Sequence, residues 1–477
     1  MSTKAKLVAL GSLILLLGLV AAACGGGATA TPRVVEKEVI KEVPIKVDEI
    51  SITVRTKATP PTEDWRGNNF QFVLAEVNAA LLAEGDNRQI KLKIIQDNKD
   101  WGDYKQEFVL ATDAGKAPDI VLSGHEDVGA WAANGLIIPL DDFINKEPGV
   151  YDNVIAGLWP SVTFKDQRWA IPQDAEARPL YWSKPLLREL GWSDAQIDGL
   201  ADRIQSGDFT LQDMLTTAKE AVDKGVVKKG FGFWHRPRNG PDFWYYYYGF
   251  GGETIDSATG KLVYNRDAGL KHFQFFEDAT QKLEVSVPDV FGREWSDFHT
   301  LASGASDILF WAGGSWNWAD WAANFVKDRG GDAFLFENIG FGLIPAAEKG
   351  GRPITLTHPL AYMISSKSKN PDLAFRLISA ITTDEANTRH AVGSGHLGIL
   401  ETQSSFEPYT KDKFLTAVTY MLEFTTFIPN NPNWGVYNTA WFEGMQAVES
   451  GDFTAEEAVD FVIDRMENEL GDKVIIR

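Results

Sequence analysis

The sequence predicts an α/β protein built as two lobes. Strand-like and helix-like runs alternate from Glu49 to the C-terminus, the pattern of layered sheets covered by helices. The 477 residues exceed the roughly 250–300 at which a single core stops growing. No period of about 20–50 residues repeats, which sets aside a solenoid or propeller.

In chain order, FVLAEVNAALLAE (72–84) reads as a helix, and KLKII (91–95) and DIVLS (119–123) read as strands. LQDMLTTAKEAVDKG (211–225) is an amphipathic helix, and Thr210 with Asp213 has the spacing at which a hydroxyl and a carboxylate satisfy orphan amides. GFGFW (230–234) and SDILFW (306–311) read as strands, with LKHFQFFEDATQKL (270–283) as a helix between them. ITLTHPLAYMIS (354–365) is strand-like, and PDLAFRLISAIT (371–382) and AEEAVDFVIDRMENEL (455–470) are helices, the last with a capping pair at Thr454 and Glu457. Such alternation favours mostly parallel sheets, whose ligands gather beyond the carboxyl ends of the strands.

Composition narrows the function. With 46 basic against 66 acidic residues and a net charge of −20, the chain is a poor partner for nucleic acid, which is bound through phosphate neutralisation. The 16 Trp, 12 Tyr and 28 Phe must partly be core. Many tryptophans, however, stand beside Gly, Pro, Asn and Asp, as in DNKDWGD, FWHRPRNGPDFW, AGGSWNWADW and NNPNWGVYN, contexts in which a ring can face a ligand. WYYYYGF (244–250) reads as a helix, most of whose tyrosines are expected in the core.

Catalytic and metal signatures are missing. There is no HExxH, P-loop, CxxC pair, EF-hand loop or GxSxG elbow. The seven histidines lack ligand spacing, so neither a metal nor a cofactor is expected. GSGHLG (393–398) fits GxGxxG but follows a helix rather than a strand, which fails the dinucleotide context. Carboxylates cluster in GHED (Glu126, Asp127) and QDAEA (Asp174, Glu176). Two acids alternating on an extended segment can face one cavity, as glycoside hydrolysis requires. His125 lacks an evident nucleophile partner, and a structural hydrogen bond is its expected role.

Over roughly Ile50 to Leu470 the chain resembles an extracellular solute-binding protein of the family 1 kind, which serves ABC importers for sugars. DIVLSGHEDVGAWAANGLIIPLDDF resembles the family's strand, ligand loop and helix, and WAIPQDAEARPLYWSK its first hinge crossing. LASGASDILFWAGGSWNWADW resembles its turn, strand and Gly-x-Trp segment. IPAAEKGGRPITLTHPLAYMISSKSKNPDLAFRLISAIT resembles the second crossing, and FTAEEAVDFVIDRM the C-terminal helix.

The resemblance implies a type II periplasmic-binding-protein-like fold with its ligand cleft between lobes joined by hinge strands. One lobe would comprise residues 51–172 with 345–400, and the other 173–344 with 401–477. It also nominates ligand contacts: Ser123, Glu126 and Asp127 in the first-lobe loop, Glu176 at the hinge, Trp316, and Trp434, Tyr437 and Asn438 in the NNPNWGVYN loop. Loop context adds Trp101 in the first lobe and Asn239 with Trp244 in the second. Maltose-binding members of the family carry an aromatic residue where this chain has Ser123 and a basic one where it has Asp127, which argues against maltose itself.

Sugars present apolar C–H faces and hydroxyl edges, so rings among carboxylates and amides suit them. The expected protein is a monomer that takes a mono- or oligosaccharide by hinge closure and presents it to an ABC permease, breaking no bond. A cationic solute such as a polyamine or amino sugar is the alternative within binding proteins, since four acids and several rings could surround an ammonium. A secreted glycoside hydrolase using Asp174 and Glu176 is the alternative among enzymes.

The N-terminus predicts compartment. Lys4 and Lys6, an apolar run from Leu7 to Val20, and Ala21–Ala23 make a signal peptide over 1–23, too short to remain as a span of about 20 residues. Cys24, the sole cysteine, follows the cut site as in the lipobox of bacterial lipoproteins, although Ala21 replaces the favoured leucine. Diacylation would tether the protein to the membrane, because stable anchoring takes more than one acyl chain; an ordinary secreted protein is the plainer alternative. A lipidated Cys24 leaves no disulfide, so the fold rests on its core. Residues 24–50 read as a charged spacer, or as a helical stalk that Pro44 would end.

Overall fold

The computed structural model describes residues 46–477; the expected signal peptide, Cys24 and the spacer up to residue 45 lie outside them. The strands that matter here are β1 (Asp48–Lys57), β2 (Arg88–Asp97), β3 (Ile120–Gly124), β4 (Ile171–Pro172), β5 (Leu180–Ser183), β6 (Phe233–Trp234), β7 (Phe310–Ala312), β8 (Ile339–Gly342), β9 (Thr355–Leu356), β10 (Leu360–Ile364) and β11 (Thr425–Thr426). Strand β1 begins at Asp48, so the last three residues expected in the spacer belong to the folded body.

Two sheets form the two lobes. The first has the order β2-β1-β3-β10-β4 and the second β8-β5-β7-β6. In the first, β1 pairs parallel with β2 and β3, whereas β10 runs antiparallel to β3 and β4. In the second, β5 runs antiparallel to β7 and β8, and only β7 and β6 are parallel. The mostly parallel sheets expected from the alternation are therefore mixed. The antiparallel partners β5 and β10 are the strands that have just crossed from the other lobe, so each enters its sheet against the strands beside it.

Burial explains the assignments. All five residues of β3 and of β10 are buried, and a strand covered on both faces reads as a continuous apolar run. ITLTHPLAYMIS divides into β9 and β10, because Pro359 lacks the donor that a ladder needs. Both expected capping boxes are formed, at Thr210/Asp213 and Thr454/Glu457. Helix Asp384–Ser394 closes on Gly395 with φ of 74°, so GSGHLG is a helix end and not a phosphate turn.

Three further ties hold the crossings together. The chain from β4 to β5 bonds backbone to backbone with Leu397 through Ala175, at 3.0 and 2.7 Å. The Thr357 and Thr355 hydroxyls accept from the amides of Glu176 (2.9 Å) and Arg178 (2.7 Å). Thr357 in turn donates its amide to Thr426 O at 2.8 Å. Beneath this junction lies a buried ion cluster: Arg66 pairs with Asp174 at 2.8 Å and Glu63 at 2.9 Å, and Asp174 also accepts from the Leu360 amide at 2.9 Å.

Candidate functional site

The first-lobe face is built where β3 ends. Gly124 allows the chain to turn so that the Glu126 carboxylate folds back over it, and a Cβ there would collide with that carboxylate. Glu126 pairs with His358 at 2.7 Å and Lys105 at 2.7 Å. Asp127 opens helix Asp127–Ala133, pairs with Lys105 at 2.9 Å and accepts from the Ser123 hydroxyl at 2.6 Å. Lys105 comes from helix Trp101–Asp113, and the exposed Trp101 ring at that helix's start lies 5.7 Å from the Lys105 ammonium and 5.5 Å from that of Lys57.

Charge balance sets the protonation of this face. Burial opposes ionisation of Glu126, but His358 and Lys105 overcome it and hold the carboxyl well below its usual range. For Asp127 burial prevails over Lys105, and the neighbouring Glu126 adds to it, so its pKa is raised. Burial works against the His358 imidazolium, yet the Glu126 carboxylate raises its pKa above 6.5. His125 is different: burial pushes it down to about 3, and its Nε2 lies 3.0 Å from Ile428 O. A neutral ring held by a backbone carbonyl fulfils the structural role expected for it.

The sign of the His358 shift gives a prediction. A raised histidine pKa contributes stability that is complete below pH 6.5 and is lost as pH rises through the folded value; the lowered Glu126 pKa contributes above 4.5 and is lost as pH falls through its folded value. The pair is thus strongest between these two limits. An NMR titration should place the His358 midpoint above 6.5 in the wild type and lower in Glu126→Gln. An unmoved midpoint would show that Glu126 does not hold this proton.

The hinge supplies the next groups. Glu176 and Arg178 alternate along the first crossing, point the same way and pair with each other. Arg178 also pairs with Asp242 at 2.8 Å, and Asp242 with Arg236. Both arginines offset the burial of Asp242 and hold its carboxyl far below the usual range. Trp316, half-buried at the start of helix Trp316–Asp320, lies 4.6 Å from the Arg178 guanidinium and stacks on His396 at 5.5 Å and 12°. Gly395 makes that stacking possible, because a side chain there would press on Ser315 O and the Trp316 backbone. His396 Nε2 lies 3.7 Å from Glu176. Glu176, Trp316 and the Glu126 group thus line one polar seam from β3 through the hinge to the second lobe.

Other candidates go elsewhere. Trp244 and Tyr437 are fully buried: Trp244 stacks on Trp441 at 4.1 Å, and the Tyr437 hydroxyl donates to Val263 O at 2.7 Å. Their rings are packed in the second-lobe core with no exposed face, unlike the ligand contacts expected for Trp244 from loop context and for Tyr437 from the family resemblance. Trp434 is 5 % exposed and packs on the same pair. Asn438 accepts from Trp244 Nε1 at 2.8 Å and donates to the exposed Asn239 at 3.3 Å, above that aromatic core. Asp174 has no exposure and is occupied by Arg66, so it does not share a cavity with Glu176 as a hydrolytic pair would.

Sequence reasoning missed Lys105, His358, Arg178, Asp242 and His396. Arg178 was legible, two residues beyond Glu176 on one extended segment. The other four reach the seam only through tertiary packing. A separate cavity of about 520 Å³ opens between the lobes, lined by residues including Thr62, Ala319, Lys327, Val392 and Asp412 but none of the seam's groups.

Comparison with known proteins defines the class. Residues 70–388 match the family model of the bacterial extracellular solute-binding proteins, and the chain belongs to that family. A maltotriose-binding protein of Pyrococcus abyssi is 20% identical over 341 residues, covering 70% of this chain and 66% of that protein, just under two thirds of its length. Among solved structures, the GacH receptor of Streptomyces glaucescens, studied unliganded and with acarbose, aligns with a TM-score of 0.67 at 17% identity over 89% of this chain and 99% of its own. The cyclic α-maltosyl-1,6-maltose binding protein of Arthrobacter globiformis aligns at 0.65 and 15%, over 89% and 100%. These likenesses establish the two-lobed fold. Among the described residues no helix is long and apolar enough to cross a membrane.

Proposed function

We propose that this protein is an extracytoplasmic, lipid-anchored binding protein that captures a carbohydrate between its lobes and delivers it to an ABC importer. The observation that carries the reading is the half-buried Trp316 ring, set among Glu176, Arg178 and His396 at the junction of the two sheets. An indole matches the apolar face of a pyranose, while carboxylate, guanidinium and imidazole groups match its hydroxyl edge. Membership of the solute-binding family and the relatives that bind maltotriose and cyclic maltosyl sugars point the same way.

A ligand that contacts groups from both lobes binds the closed arrangement better than the open one and shifts the population towards it. That gives a permease a means of distinguishing loaded from empty protein. A neutral ligand fits better than a cationic one, because the carboxylates already have partners: Glu126 and Asp127 share Lys105, Asp174 holds Arg66, and Glu176 holds Arg178. An ammonium would have to displace an existing cation. Calorimetry against neutral oligosaccharides, amino sugars and polyamines tests this, and the expected outcome is binding of a neutral sugar without a steep salt dependence.

The tether follows from Cys24. Cys24→Ser is expected to move the protein from the membrane fraction to the soluble one. Continued sedimentation with membranes would remove the lipid from the account.

A further inference from the structure

The antiparallel pairing of β3 with β10 sets Gly124 opposite Leu360, and the chain beyond that pair brings His125 and Glu126 against Pro359 and His358. The His125 amide donates to Pro359 O at 3.0 Å, and the His125 and His358 rings lie 4.9 Å apart at 64°. One ligand atom from each of His125, Glu126 and His358 falls within 4.8 Å of the other two. Histidines that lack ligand spacing in the sequence thus meet through strand register.

Three features set this trio apart from an ordinary ion pair. His125 has no exposure, its Nε2 lies 3.0 Å from Ile428 O, and its Nδ1 is buried with no partner. A carbonyl oxygen only accepts, so Nε2 carries the hydrogen and Nδ1 of the neutral ring keeps its lone pair. Metal-binding histidines are commonly held in this way, by a backbone carbonyl on the nitrogen that does not coordinate. The Glu126 carboxylate, in turn, divides its oxygens: Oε1 accepts from Lys105 at 2.7 Å and Oε2 faces His358 Nε2 at 2.7 Å. Lys105 therefore orients the carboxylate without occupying the oxygen on the histidine side. The Glu126 and His358 side chains are also 16% and 13% exposed, so an ion can reach them from solvent. The buried trio of Asp174, His390 and His396 differs. Arg66 stands 2.8 Å from Asp174 Oδ2, the same oxygen that the two histidines face at 3.2 and 4.0 Å, and its guanidinium excludes a second cation.

We propose that His125 Nδ1, Glu126 Oε2 and His358 Nε2 bind a divalent transition-metal ion of the zinc class. Two imidazoles and a carboxylate suit zinc, whereas calcium and magnesium take oxygen ligands. Bonds of about 2.0–2.2 Å at tetrahedral angles place donor atoms about 3.3 Å apart. The Glu126–His358 contact therefore opens by about 0.6 Å, the ion takes the place of the hydrogen between them, and that proton is released to water. Three protein ligands leave a fourth position for water. The inference goes beyond the carbohydrate reading and does not depend on it.

Calorimetry of the tag-free, chelator-treated protein with zinc chloride, in the absence of sugar, tests the site. One ion per chain is expected, with calcium and magnesium failing to compete. His125→Gln and His358→Gln should each weaken zinc binding at least about tenfold. One equivalent of zinc should shift the imidazole NMR signals of His125 and His358 in the wild type and leave those of the other five histidines in place. The NMR arm needs no variant, so it reads the site even where the buried His125→Gln does not fold. No saturable zinc binding by the wild type, unchanged affinity in His358→Gln, or shifts confined to the other histidines would each overturn the proposal. All three outcomes leave the carbohydrate reading intact, since no sugar is present.

Discussion

Asp174→Ala should destabilise the folded body by about 3–5 kcal/mol, the cost of stranding one member of a buried ion pair. The Asp174 carboxylate has no exposure and satisfies Arg66 at 2.8 Å, the Leu360 amide at 2.9 Å and His390 at 3.2 Å. His396 and Arg66 outweigh its burial and keep it ionised far below the usual range, whereas burial takes His390 down to about 4. Removing the carboxylate leaves Arg66 with Glu63 as its remaining carboxylate partner and with the neutral acceptors Gln173 and Lys57 O, in a site where its side chain is 2% exposed. Denaturant unfolding would read the loss as a lower midpoint. The double change Arg66→Met with Asp174→Leu should recover much of it, since apolar groups of similar volume can replace a buried pair at little cost. A midpoint unmoved by Asp174→Ala would mean that the junction beneath the crossings is held by something else.

Trp316→Ala should weaken ligand binding by about 2 kcal/mol, the scale of a buried aromatic anchor, with little change in the melting temperature of the empty protein. The ring is half-buried, and its neighbours Arg178 and His396 keep their partners Asp242 and Ser394 without it. Affinity is therefore lost mainly through the missing sugar face. Unchanged affinity would take Trp316 out of the site and leave the seam of charges without its aromatic platform.

Much of the fold was legible because local signals agreed with it. The capping pairs at Thr210 and Thr454, the period of helix Ala455–Leu470 and the buried run of β3 are each set by neighbouring residues. The direction of β5 and β10 was not, because it depends on which sheet a strand enters after a crossing, and that is a long-range property. The site divides in the same way. Ser123, Glu126 and Asp127 fall within one turn at the end of β3, and all three join one hydrogen-bonded group through Lys105. Trp244 and Tyr437 have the same loop-like neighbours as Trp316, yet they fill a core with Trp441. Flanking Gly and Pro mark where a chain turns, not which way a ring then points. His358 and His396 looked solitary because their partners Glu126 and Trp316 lie 232 residues away in the first case and 80 in the second.

Binding by lobe closure requires a sugar that sits between the lobes in contact with both. A crystal structure of the protein grown with the tightest-binding oligosaccharide tests it most directly. A sugar ring is expected against the Trp316 indole, with hydroxyls bonded to Glu176 and to the Glu126, Lys105 and His358 group. A sugar held by one lobe alone, or on the outer surface away from Trp316 and Glu176, would contradict it.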